Sequence, residues 1–256
     1  MGTGLARLGS KWTTAVVVVA ILALVQFASN FFPPYLFPDL QRIWHGLLEI
    51  VSGDKRSIGI TLLRFVVAMI LAGGIGWALA IVMAAFKSSV GRFLQPFFSI
   101  VQAIPALSWV LLSVLWIGDI ETRIVFICFV ISIPFFVVTV YEGIRDLDSD
   151  LVHAIEQFRP TRPQMIGILL IPQSLAYLLI SFRSSAAFSL RILVFAEMIG
   201  ATSGIGSSMG DAQSAFRLDL IFAWTIILVV LNFVLIALLD AAERHLLTWR
   251  TEAVLR

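Results

Sequence analysis

The chain is 256 residues long, 59% hydrophobic, 13% charged and carries a formal net charge of +2. A soluble domain carries about 25% charged residues, so this composition excludes an ordinary water-soluble globule and points to bilayer lipid as the solvent. The basic residues form no stripe along the chain, which argues against a nucleic-acid partner.

Six windows long enough to cross a hydrocarbon core contain no Asp, Glu, Lys or Arg: 12–38, 65–86, 93–118, 124–141, 163–182 and 220–239. In lipid a spanning segment must satisfy its own backbone, and apolar runs of this length without period-two alternation do so as helices rather than barrel strands. The expected fold is an all-α integral membrane protein of about six transmembrane helices.

Arg7 and Lys11 precede the first window, as they would in a signal peptide. The apolar run is longer than a signal core, and no small-x-small cleavage site follows it. An uncleaved helix over roughly 13–31 is expected. The next segment, 30–59, holds the turn-rich FFPPYLFP and an amphipathic stretch, 40–51, suited to a short helix on the membrane surface. In the second window Ala72, Gly76 and Ala80, with Gly73 and Gly74, make a small-residue face for close helix packing, within the chain or against a second copy. Gln102, Ser108 and Trp109 are polar groups in the third window, readable as lining of a pathway or as ordinary packing. The lone Cys128, in the fourth, reads as a small buried apolar side chain.

The segment EGIRDLDSDLVHAIEQFRPTRPQ is too charged to enter lipid, yet Leu147, Leu151, Ala154, Ile155 and Phe158 recur in it at helical spacing. Asp148 or Ser149 can cap the start and Pro160 stops the end. A short amphipathic helix over about 147–159 is expected, gripping either the bundle or a soluble partner. Further on, Pro172 predicts a kink or boundary, with a span over about 174–196 that contains Arg183 and Arg191. Arg191 suits an anion passing through the membrane; the alternatives are pairing with Glu197 or snorkelling to the interface. Glu197 is six positions on, off the same helix face unless the helix breaks. Gly200, Gly204, Gly206 and Gly210 then predict backbone bends, as in a re-entrant loop.

With the N-terminus inside, the cytoplasmic segments hold ten basic residues: Arg7, Lys11, Lys87, Arg92, Arg145, Arg159, Arg162, Arg244, Arg250 and Arg256. The external segments hold five: Arg42, Lys55, Arg56, Arg123 and Arg217. The positive-inside bias predicts a multi-pass protein with both termini in the cytoplasm.

No lysine follows a glycine, so no phosphate-binding GK[ST] loop is present, and no HExxH occurs. His45, His153 and His245 lie in three separate segments, and Asp146, Asp148 and Asp150 lack the glycine and glutamate of a calcium loop. Neither a catalytic residue nor a metal site is expected.

Three stretches taken together resemble a family. AEMIGATSGIGSSM, 196–209, looks like a recurring segment of an acidic residue and Met, four variable positions, then Ser/Thr-Gly-x-Gly. TLLRFVVAMILAGGIGWALA, 61–80, and QAIPALSWVLLSVLWIG, 102–118, match in order and spacing. From about 40 to 249 the chain resembles the permease subunits of bacterial ABC importers, in the branch serving nitrate, aliphatic sulfonates and taurine. The resemblance implies a type I importer bundle in the bacterial inner membrane, working with a second permease, identical or related. It also implies a dimer of ATPase subunits that binds the ATP and Mg, and an extracytoplasmic solute-binding protein; no cofactor is expected on this chain.

The family's coupling motif runs Glu-Ala-Ala, Gly six residues after that Glu, then Leu-Pro. Ala154, Gln164 and Pro172 agree with it, while His153 replaces the acidic residue and Arg159 the glycine. The implied ATPase-coupling residues are Leu147, Leu151, His153, Ala154, Ile155, Phe158 and Arg159. The pathway candidates are Arg191, Glu197, Gln102, Ser108 and Trp109. The organisation expected is an N-terminal part over 1–59, a permease core over 60–249 and a tail over 250–256. The competing function is an ion-coupled secondary transporter, which needs charged coupling groups near mid-membrane and commonly has internal repeats; no clear repeat is visible.

Overall fold

The computed structural model of the chain describes residues 16–17, 19–33, 36–86, 90–147 and 149–246. Among these residues the secondary structure is helical throughout, as the absence of water from the bilayer core demands. The helices are α1 (Val19–Ser29), α2 (Leu40–Gly53), α3 (Lys55–Ala85), α4 (Val90–Ala103), α5 (Ala106–Trp116), α6 (Ile120–Arg145) and α7 (Ser149–Glu156). There follow α8 (Arg162–Met165), a π-helical turn (Ile166–Leu170), α9 (Ile171–Gly200), α10 (Ile205–Ser214) and α11 (Leu218–Leu246). Caps appear where side chains allow them: Asp39 accepts from the Arg42 amide at 2.8 Å to open α2, and Asp119 from the Thr122 amide at 2.8 Å to open α6.

Among the described residues four helices are long and apolar enough to cross a membrane: Lys55–Ala85, Ile120–Arg145, Pro163–Gly200 and Leu218–Leu246. The first expected span falls partly outside the described residues; Val19–Ser29 is the apolar helix described there. The third window is not one straight span. Phe93–Ala103 and Ala106–Trp116 meet at 91°, because Pro105 has no N–H to donate and forces the preceding residue away from helical geometry. The boundary expected at Pro172 is present as a change of helix type: the π turn Ile166–Leu170 ends there and α9 starts at Ile171 with Pro172 in its first turn, where its missing N–H is tolerated. The helix then runs on to Gly200, past the expected end near 196.

By packing, the chain divides into two units, 1–56 with 208–229, and 57–207 with 230–256. In the first, the α2 backbone at Gly46 passes so near α11 that an added Cβ would lie 3.2 Å from the Asp219 carbonyl. Arg217 there donates to both oxygens of Glu49 and to Asp219. These bonds hold the Glu49 carboxyl below its ordinary pKa and raise that of the Arg217 guanidinium.

The second unit is built on α6 packed against α9. Phe136, Ile124, Ile127 and Leu193 are fully buried there. Lipid is as apolar as leucine, so close packing and interhelical hydrogen bonds hold such a bundle together. At Gly76 a Cβ would stand 2.6 Å from Phe136 Cβ, and Ala72 and Ala80 beside it are fully buried. Ala72, Gly73, Gly76 and Ala80 are thus used in packing within the chain, while Gly74 is exposed with nothing within 4 Å of where a Cβ would be. Ser132 and Ser189 share a 2.7 Å hydrogen bond between α6 and α9.

Candidate functional site

Three places in the second unit bring polar chemistry to apolar helices. At the first, Arg64 of α3 is 3% exposed, and each of its five N–H donors finds an acceptor. Nε and Nη2 donate to the two oxygens of Glu121, on the first turn of α6. Nη2 also donates to Ser203 Oγ at 3.0 Å. Nη1 donates to Glu197 Oε1 at 2.7 Å and to the Ser203 carbonyl at 2.7 Å. Glu197, on the last turn of α9, has no exposed surface. It accepts further from Thr61 Oγ1, at 2.8 Å to Oε2, and from the Gly206 amide at 3.1 Å. Thr61 in turn accepts from the Ile205 amide at 2.8 Å. Gly204 has φ +106°, and a Cβ there would stand 2.6 Å from Glu197 Cδ, so only glycine lets the loop close over the carboxylate. The cluster ties α3, α6, α9 and the start of α10 together through one guanidinium.

The second place is α9 itself. Glu197 pairs with Arg64 and not with Arg191, because α9 stays helical to Gly200 and six residues put the two on different faces. Arg191 is exposed, and its Nε donates to the Ala187 carbonyl at 2.9 Å. Arg183 pairs with Asp240 at 3.0 Å and Glu243 at 3.6 Å, both on α11. Of the remaining pathway candidates, Gln102 is exposed near the end of α4, and Ser108 and Trp109 are half-buried on α5 just past the bend. Among the described residues the Trp109 indole N–H meets no acceptor. These three lie by the 91° break, and the structure gives none of them a bond to Arg191 or Glu197 among the described residues.

The third place is α7, where the expected stripe divides in two. Leu147, Ile155 and Val152, the last not in the stripe, pack against the cluster formed by Met83, Val140, Ile144 and Leu169. His153, Ala154 and Phe158 face away, and Phe158 is 87% exposed. Leu151 lies in α7, but its side chain falls outside the described ones, as do Asp148 and the side chain of Ser149. The helix is shorter than expected, ending at Glu156, and Arg159 closes it with φ +50°. Its amide donates to the Glu156 carbonyl at 2.9 Å. Arginine therefore adopts a left-handed conformation, at a cost of roughly 1–2 kcal/mol. Among the described residues no three His, Cys, Asp or Glu side chains converge to hold a metal ion.

Local sequence pattern does not single out Thr61, Arg64, Glu121 or Ser203 as a group. The available signal was that Arg64 and Glu121 are opposite charges at the edges of apolar windows, each needing a partner. Which partner each takes is a long-range pairing that no local pattern encodes.

Comparison with known proteins adds three findings. The family described as binding-protein-dependent transport system inner membrane component matches residues 74–248. An aliphatic sulfonates transport permease protein of Bacillus subtilis (strain 168) is 28% identical over 78% of this chain and 73% of its own. The taurine transport system permease protein of Escherichia coli (strain K12) is 24% identical over 97% and 88%. In fold, the chain is similar to the MetNI methionine ABC transporter in inward-facing conformations, with a TM-score of 0.65, 15% identity and coverage of 75% and 94%.

Proposed function

The chain belongs to the binding-protein-dependent transport system inner membrane components, the permeases of ABC importers, and from that premise we propose how it works and what it carries. It forms half of a transmembrane pathway in the bacterial inner membrane, both termini in the cytoplasm. The second half is another permease, and two ATPase subunits bind the ATP and Mg. An external solute-binding protein delivers a small anionic solute of the sulfonate, taurine or nitrate kind. Arg191, Gln102, Ser108 and Trp109 serve the pathway, and Glu197 anchors its wall.

The observation that carries this reading is the division of α7. Leu147 and Ile155 fasten the helix to the bundle while Ala154 and Phe158 stand free of it. A short helix held by one face and bare on the other is suited to a soluble partner's groove. Movement of that partner then reaches the bundle through Leu147 and Ile155, and His153 and Arg159 border the contact. An ion-coupled transporter would have no use for such a surface.

Co-purification tests it: the intact chain should retain a separate ATPase, and Ala154→Asp should release it while leaving the chain inserted. Retention by the variant would overturn the coupling role. Orientation is tested apart, with Gly53→Cys expected to react with an impermeant thiol reagent from outside and Gln157→Cys from inside only.

A further inference from the structure

We infer that Arg191 is the anion-selecting residue of the translocation pathway, holding a small oxyanion through its free Nη1–Nη2 edge; this rests on the importer reading above. Among the arginines on the long helices of the second unit, Arg64, Arg183 and Arg191 lie more than a turn from either helix end, and their surroundings differ. Arg64 has all five donors engaged, four of these bonds to two carboxylates and a serine hydroxyl. Arg183 has two carboxylates. Arg191 has one backbone carbonyl on Nε and, among the described residues, no acceptor for its four Nη hydrogens and no carboxylate in ion-pairing range.

An unpaired guanidinium facing lipid is costly, so residues of this kind face water, protein or a ligand. Snorkelling does not relieve Arg191. Its side chain bonds to Ala187, one turn toward the start of the helix, and so away from the Gly200 end. Along α9 it stands eight residues from the Arg183 ion pairs and six from Glu197, about 12 Å and about 9 Å at the helical rise. It is thus a lone positive charge between two neutralised layers. Phe188, Arg191, Phe195 and Met198 form one exposed line at helical spacing, in which the guanidinium is the one charged group. Two parallel N–H donors on the outer edge match two oxygens of a sulfonate, nitrate or carboxylate group, a geometry an ammonium does not offer.

The test uses the full complex of permease, ATPase and binding protein in proteoliposomes, with ethanesulfonate and nitrate as probes. Arg191→Ala and Arg191→Gln should each slow ATP-driven uptake by at least about tenfold with ATPase retained, and Arg191→Lys, which keeps the charge but not the paired donors, by an intermediate factor of about threefold to tenfold. Wild-type rates in either neutral variant would overturn the assignment; should the alanine variant fail to assemble, the glutamine variant decides. A second readout does not depend on transport. Arg191→Cys should react with a membrane-impermeant, sulfonate-bearing methanethiosulfonate, for which the wild type is the blank because its Cys128 is buried. No reaction would overturn a water-facing position. Reaction at residue 191 in a complex that drives no uptake at all would sink the importer reading yet support a solvent-facing cation here.

Discussion

The Arg64 cluster and α7 are both amphipathic exceptions in an apolar chain, yet they are finished to different degrees. Around Arg64 every donor and most lone pairs are used within the chain, and Glu197 has no contact with solvent. On α7 half the apolar surface is used and Phe158 is left bare. The contrast teaches how to sort polar or amphipathic features in a membrane subunit: groups whose partners all lie in the same chain hold it together, and groups left half-satisfied mark what it binds.

The sharpest way to break that contrast is Arg64→Met. It strands a buried Glu197 without its cation, a loss of about 3–5 kcal/mol. Thermal unfolding of the purified chain in detergent should fall by roughly 10 °C. Arg64→Lys should recover part of it, since an ammonium keeps the charge but cannot fork to Glu121. An unchanged melting temperature would mean the cluster is ornamental.

Phe158→Ala should do the reverse. Chain stability stays within about 0.5 kcal/mol, as for other exposed positions, while association with the ATPase weakens by ~2 kcal/mol, about thirtyfold. Ile155→Ala, on the fastened side, should lower the chain's own melting temperature as well. Equal effects of the two would erase the division between the faces.

Smaller still is Arg159→Gly. With φ +50° the arginine is strained, so glycine should stabilise the turn by about 1 kcal/mol in a chemical or thermal melt. A loss of stability would show that the arginine side chain has a bond worth more than the strain.

The smallest effect concerns Glu49, whose pKa the Arg217 hydrogen bonds depress. Its contribution is present above the unfolded carboxylate value and disappears as pH drops through the lower folded one. Both side chains are substantially exposed, so the pair is worth at most about 1 kcal/mol. Glu49→Gln should therefore lower stability at neutral pH by up to that much and leave stability in acid, below the folded pKa, nearly unchanged, so that the acid limb flattens.

What could be seen in the sequence follows the range of each cause. The apolar windows, the amphipathic stretch at 40–51 and the amphipathic segment at 147–159 come from composition and spacing within one turn or two, and each holds helix among its described residues. Pro105 was equally local, but a window scored only for missing charge is blind to a bend, so α4 and α5 looked like one span. At Pro172 the local rule about prolines found a boundary, where a π turn gives way to α9, but not that the π turn lets the helical run continue across it. Glu197 was visible as an odd charge, but its partner Arg64 is 133 positions away, and only folding brings them together. The splitting of the α7 stripe depended on where the Met83–Leu169 cluster lies, which spacing does not report.

The unbroken run from Pro163 to Gly200 is 38 residues long, ~57 Å of helix, nearly twice the ~30 Å of hydrocarbon it crosses. It acts mechanically as a stiff rod with a flexure, the π turn, close to its α7 end and a bolted joint, Glu197, at the other. A tilt of about 5° over that length moves the far tip by about 5 Å. With the Glu197 end held, a stroke at the α7 end would be geared down along α9, and Arg191, six residues from Glu197, would move by only about a sixth of it.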